Sequence, residues 1–91
     1  MDIKREDLLR LYYYLKLTRK LEDRATSLYH QGKILGGVWT SYGMEAVSVG
    51  YGCALERDDI AAPYFRDLGA FLARGISAKR IMAQYLGKKT G

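Results

Sequence analysis

The residues best suited to chemistry are Pro63-Tyr64-Phe65-Arg66-Asp67-Leu68-Gly69, downstream of Gly43-Met44-Glu45-Ala46. Arg66 is set among aromatic residues where a short apolar run, Ile60-Ala61-Ala62-Pro63, meets a helical pattern carrying Phe71 and Leu72. A guanidinium in such a place suits a phosphate, because its planar fork donates two parallel hydrogen bonds to oxyanions. The start of the following helix adds free N–H groups and a partial positive charge. The structural alternative is an arginine that caps the turn or pairs with Asp67. Spacing alone leaves both open.

Other reactive sets are missing from the sequence. No serine, histidine and acid are spaced for nucleophilic catalysis, and one histidine with one cysteine cannot build a structural zinc site. No glycine loop of the Walker or dinucleotide type is present. His30 follows Tyr29 at a predicted helix end, where the helix dipole is reason enough for it. Glu45 belongs to the first turn of its helix, which also favours an acid. Asp58 and Asp59 read as a polar turn. Cys53 lies in a small-residue run with Val49, Gly50, Gly52 and Ala54, which suits a buried, inert thiol. No residue is therefore assigned as catalytic or as a metal ligand.

The elements that must position Arg66 are mostly helical. Residues 3–31 form one amphipathic pattern through Leu8, Leu11, Tyr12, Leu15, Leu21, Ala25, Leu28 and Tyr29, with Thr18 bridging a gap. Asp2 suits the cap, Glu6 and Asp7 the first turn, and Gly32 the stop. Such a helix is about 40 Å long and wants a partner beyond this chain's own mass. Tyr12, Tyr13 and Tyr14 spread aromatic rings over several of its sides. Residues 33–42 read as a loop. Residues 43–55 read as a helix of small residues, which permit the close approach of another backbone. A polar turn then leads to a strand at 60–63, and helices run on to 86, broken at Gly75 and started again by Ser77.

Size and composition allow one small domain. The 91 residues would bury roughly 60–65% of their unfolded surface. A 48% hydrophobic and 27% charged composition excludes a disordered tail. No apolar run approaches the ~18 residues of a membrane span, and the charges from Asp2 to Asp7 speak against a signal-peptide core. A single cysteine fits a reducing compartment, so a cytoplasmic location is expected. The net charge of +5 gathers in the first third, at Lys4, Arg5, Arg10, Lys16, Arg19, Lys20, Arg24 and Lys33. It reads as the wet face of the long helix. An acidic protein partner for a non-catalytic helical module, or nucleic acid, are the other readings; no nucleic-acid motif supports the last.

Five segments in order carry a family resemblance: Leu28-Tyr29-His30-Gln31-Gly32-Lys33-Ile34, Trp39-Thr40-Ser41-Tyr42-Gly43-Met44-Glu45-Ala46, Pro63 to Gly69, Ala73-Arg74-Gly75 and Leu86-Gly87-Lys88. Together, from about Leu8 to Gly91, they resemble the N-terminal part of the alpha subunit of thiamine-diphosphate-dependent 2-oxo acid dehydrogenases, of branched-chain or pyruvate type. The resemblance implies an α/β thiamine-diphosphate-binding fold in the complete subunit, of which these residues are the mostly α-helical beginning with one short strand. It implies an α2β2 enzyme that decarboxylates a 2-oxo acid and passes the acyl group to a lipoyl acyltransferase component.

By the same match, Arg66 is the arginine that holds the cofactor's diphosphate, and Phe65 occupies the place of a tyrosine. Phe65 has no hydroxyl, so one expected phosphate hydrogen bond is gone. Tyr64 would point elsewhere if a strand register held. Trp39 stands where pyruvate-type members carry a histidine, so it is the substrate-pocket residue and favours a branched-chain 2-oxo acid; packing against the small-residue helix is its structural alternative. The family's Gly-Asp-Gly segment, which holds magnesium with an asparagine further on, is expected beyond Gly91. The glutamate that activates the cofactor is expected on the beta subunit. The fragment alone is thus expected to be inactive.

Overall fold

Arg5–His30 forms one continuous helix, α1, in the computed structural model, which describes residues 3–91. Its 26 residues explain most of the 46 Å longest dimension. The apolar period is used over only half its length. Thr18, Leu21, Glu22, Ala25 and Leu28 are buried, whereas Leu8, Leu9, Tyr12 and Tyr13 lie open. Asp2, the expected cap, lies outside the described residues, and extended Lys4 takes the cap position without a side-chain bond. The stop at Gly32 is as expected. A φ of 75° there, disfavoured for residues with a Cβ, lets Lys33 N–H reach back to the Leu28 carbonyl at 3.0 Å.

The small-residue helix α2 (Glu45–Ala54) begins two residues later than the pattern suggested. Gly43 stays outside at φ 86° and donates its N–H to the Glu45 carboxylate at 2.8 Å. Small side chains then serve the expected purpose. A Cβ on Gly69 of helix α3 (Leu68–Ala73) would come within 2.5 Å of Val49 Cγ2 and 2.8 Å of Ser48 Oγ. One on Gly52 would stand 3.0 Å from the Ala70 backbone. The two helices touch almost backbone to backbone.

Helix α4 (Ala78–Tyr85) starts at Ser77, whose hydroxyl accepts from Arg80 N–H at 3.2 Å. It closes two small cores on α1. Leu21, Leu68 and Leu72 form one with Tyr14, Leu17, Ala78, Ile81 and Met82 around them; Ala25, Leu28 and Ile34 form the other, and Met82 joins them. Arg10 ties the far ends of α2 and α3 together, donating to the Cys53 carbonyl at 3.3 Å and the Ala73 carbonyl at 3.2 Å. Arg10 thus places a cation where both helix dipoles are negative.

The expected strand at 60–63 is absent, and no strand is found among the described residues. An apolar run becomes a strand only with a neighbour to complete its ladder. Here Ile60 stands 97% exposed. Arg74 fixes the preceding turn from outside instead, donating to the Glu56 carbonyl at 2.7 Å and to that of Asp59.

Candidate functional site

The segment carrying Arg66 is a turn, closed by Asp67 N–H on the Tyr64 carbonyl at 2.9 Å. Its lock is the Asp67 carboxylate. One oxygen, Oδ2, accepts from Tyr64 N–H at 3.0 Å and from the Tyr51 hydroxyl on α2 at 2.9 Å. Burial first, then this carboxylate, pushes the Tyr51 phenol up to about 12, so it remains a donor. Asp67 is therefore occupied in shaping the turn. No ion pair between it and Arg66 is present among the described residues.

The Arg66 guanidinium is exposed and makes no hydrogen bond to the described protein; it lies over the Phe65 ring, 5.5 Å from its centre. That stacking occupies the face of the fork and leaves its N–H edges for an oxyanion. Around it the turn gathers aromatic rings. Tyr64 and Phe65 lie 4.1 Å apart at 40°, on one side of the chain, because the turn removes the alternation a strand would impose. Trp39 meets Phe65 edge to face at 5.8 Å and 68° and lies across Gly37. It is 55% exposed and joins neither core. Trp39 thus joins Phe65 and Arg66, distant from it in sequence, in one cluster. Beyond Phe65 opens a largely apolar groove of about 420 Å³, walled by Leu68, Phe71, Ile76, Ile81 and Tyr85 with Arg80 at hand. An anion on Arg66 would thus have apolar surface beside it.

Spacing did not reveal what holds the loop that carries Trp39. Glu22, 1% exposed, accepts from Ser41 N–H at 2.7 Å and from the Ser41 hydroxyl. Beside it Arg19 pairs with Glu45, stacks on Tyr42 at 4.8 Å, and clamps α2 to α1. The one available signal was phase, since Glu22 falls on the same stripe as Thr18, Leu21 and Ala25. A carboxylate there needs partners. His30, by contrast, only rests edge-on against Tyr29 at the end of α1, outside the cluster.

The two acids should leave opposite marks on stability against pH. Burial pushes the Glu22 carboxyl above its ordinary 4.5, against the Ser41 bonds, while Glu45 adds to the rise and Arg19 opposes it. The bond from Arg19 holds Glu45 below the same value. A raised folded pKa gives stability that is complete below 4.5 and is lost as pH climbs through the raised value; a lowered one gives stability present above 4.5 and lost as pH falls through it. Urea midpoints measured from acid to neutral pH should therefore lose part of their acid limb in Glu45→Gln. In Glu22→Gln the deficit against the parent should shrink towards neutrality. Parallel profiles for all three proteins would count against both assignments.

Among the described residues no group of three or more His, Cys, Asp or Glu side chains could hold a metal ion, and no helix is long and apolar enough to cross a membrane. Residues 13–91 match the family model described as dehydrogenase E1 component, and the chain belongs to that family. It is 37% identical over 98% of its length to pyruvate dehydrogenase E1 component subunit alpha-3, chloroplastic, from Oryza sativa subsp. japonica, covering 21% of that protein. It is 38% identical over 99% of its length to pyruvate dehydrogenase E1 component subunit alpha of Rhizobium meliloti, covering 26%. A 2-oxoisovalerate dehydrogenase subunit alpha from Bacillus subtilis is 39% identical over 86% of the chain, which covers 24% of it. The chain thus spans about a fifth to a quarter of the length of these curated relatives. No solved structure matches it.

Proposed function

We propose that these residues are the N-terminal part of the alpha subunit of a thiamine-diphosphate-dependent 2-oxo acid dehydrogenase, with Arg66 as the diphosphate clamp. The observation that carries the reading is the Arg66 guanidinium, laid over Phe65 with its hydrogen-bonding edges unused by the described protein. The fit is of one sign and one end only. A free fork suits a diphosphate, whereas these residues offer no donor set for magnesium. The metal's ligands and the activating glutamate belong, on this reading, to the complete subunit and to the beta subunit. When bound, thiamine diphosphate supplies carbanion stabilisation for decarboxylation. The residues in hand bind and orient: Arg66 holds an oxyanion, and Asp67 and Tyr51 keep its turn in shape. Phe65 gives apolar surface where a tyrosine would have given a hydroxyl.

Trp39 lines the substrate side, next to Phe65. A broad apolar ring there suits the aliphatic side chain of a branched 2-oxo acid better than the methyl group of pyruvate. Relatives named for pyruvate and for 2-oxoisovalerate both fit the chain, so this preference rests on Trp39 alone. The open face at Leu8, Leu9, Tyr12 and Tyr13 supports burial against the remainder of an α2β2 assembly, which would pass its acyl group to a lipoyl acyltransferase. The single, free cysteine, Cys53, supports a reducing compartment such as the cytoplasm.

The test is competition between substrates in the complete enzyme. The kcat/KM for 3-methyl-2-oxobutanoate should exceed that for pyruvate by about 10-fold, the scale of one or two methylene groups in a pocket, and Trp39→His should narrow the ratio. A preference for pyruvate that Trp39→His leaves unchanged would refute the substrate assignment.

A further inference from the structure

We propose that Glu22 is the positioning residue for the substrate side of this site, fixing the loop that carries Trp39 and thereby setting that ring against Phe65. The proposal rests on Trp39 as a substrate-pocket residue for its kinetic part; the placement of the loop stands without it.

The loop between α1 and α2 has little else to hold it. Ile34 anchors its start by apolar burial at 5% exposure, and half-buried Val38 packs against the same core just before Trp39. From Leu35 to Thr40 it contains no helix or strand, and no hydrogen bond within the described protein involves those residues. Leu35 is fully open, and Gly36-Gly37 adds backbone freedom. On the far side of Trp39 the fixed point is Ser41, 1% exposed and two residues on.

Glu22 grips Ser41 by backbone and side chain together, through its N–H and its hydroxyl on the two carboxylate oxygens. Two bonds to one residue fix its orientation as well as its position. A small apolar pair at this contact would satisfy the core equally well. A buried carboxylate is costly without partners, and here both its oxygens are committed to the loop. Arg19 and Glu45 lie alongside but are bonded to each other, and the Ser41 carbonyl accepts from Met44 N–H at 2.7 Å within the turn before α2, so the bond that ties Ser41 back to α1 is Glu22's. The consequence is carried over two residues to Trp39, whose edge then meets Phe65 at 5.8 Å.

Two readouts on the complete assembled enzyme test this. The first is acrylamide quenching of Trp39, taken as the difference between each protein and its Trp39→Phe counterpart. Glu22→Leu, which fills the space but cannot accept, should raise it about twofold, and Glu22→Gln, whose amide oxygen can still accept from Ser41 N–H, should restore most of it. The second is kinetic. Glu22→Leu should raise KM for the 2-oxo acid about 3- to 10-fold with kcat within about twofold, and that effect should vanish in a Trp39→Ala background. Should Glu22→Leu fail to fold, Ser41→Ala, which removes only the hydroxyl bond, should give a smaller change of the same kind.

Unchanged quenching in Glu22→Leu or Ser41→Ala overturns the proposal on its own ground. A KM effect that is the same with and without Trp39 overturns it too, because Glu22 would then act by another route. Quenching that rises while neither Glu22→Leu nor Trp39→Ala moves KM overturns the substrate reading of Trp39 instead.

Discussion

Replacing Arg66 by alanine raises the thiamine diphosphate concentration needed for half-maximal activity of the complete enzyme by about 10- to 150-fold. That range is the ~1.5–3 kcal/mol of a hydrogen bond to a charged group, at about 1.4 kcal/mol per tenfold. The structure makes the change clean, because Arg66 holds nothing else. It has no hydrogen bond to the described protein, and Asp67 already has Tyr51 and the Tyr64 backbone as partners. The turn should survive, and kcat at saturating cofactor should change little. Arg66→Lys keeps the charge but loses the fork, so it should fall between the two. His30→Ala, at the end of α1 and outside the cluster, is the control, expected to leave the requirement within about twofold. Equal effects of Arg66→Ala and His30→Ala would refute the diphosphate role.

Gly69→Ala lowers the melting temperature, whereas Gly50→Ala raises it, although both glycines sit inside helices. Helix propensity alone favours alanine at either position by up to ~1 kcal/mol. At Gly50 nothing lies within 4 Å of the added carbon, so that gain is kept. At Gly69 the carbon would meet Val49 Cγ2 at 2.5 Å and Ser48 Oγ at 2.8 Å, both on fully buried, short side chains that cannot swing away. Overpacking of this kind costs roughly 1–3 kcal/mol and exceeds the propensity gain. At 4–8 °C per kcal/mol in a domain of this size, a net loss of about 1–2 kcal/mol is a fall on the order of 4–16 °C. Thermal unfolding followed by circular dichroism measures both variants. A shift of the same sign for the two glycines would mean that α2 and α3 are not in contact as described.

The features that could be read from the chain are those fixed by neighbours a few positions away. The helix of α1, the glycine stop at Gly32 and the cap at Ser77 are local and lie where they are expected, although only the second half of the α1 stripe is buried. The small residues of α2 announced a close neighbour, though not that Gly69 would be it. What went astray depended on partners. An apolar run at 60–63 looked like a strand, but a strand needs a ladder, and none is offered here. Gly43 looked helical because the pattern continued through it, yet its positive φ serves the turn before α2.

The candidate site divides along the same line. Arg66 stood out by type and setting, and the ordered segments around it supplied the family. The meeting of Trp39 with Phe65 across the fold had no local signature, and neither did the choice of Tyr51 as the partner of Asp67. Glu22 alone left a trace, as an acid on an apolar stripe. Long-range pairs are satisfied by three-dimensional placement, which a pattern of three and four does not encode.

The most direct measurement is a crystal structure of the complete enzyme with thiamine diphosphate and magnesium bound. The account predicts guanidinium nitrogens of Arg66 within about 2.7–3.2 Å of diphosphate oxygens, with the Phe65 ring still beneath the guanidinium. A diphosphate held by other groups, with Arg66 turned to solvent, would contradict it.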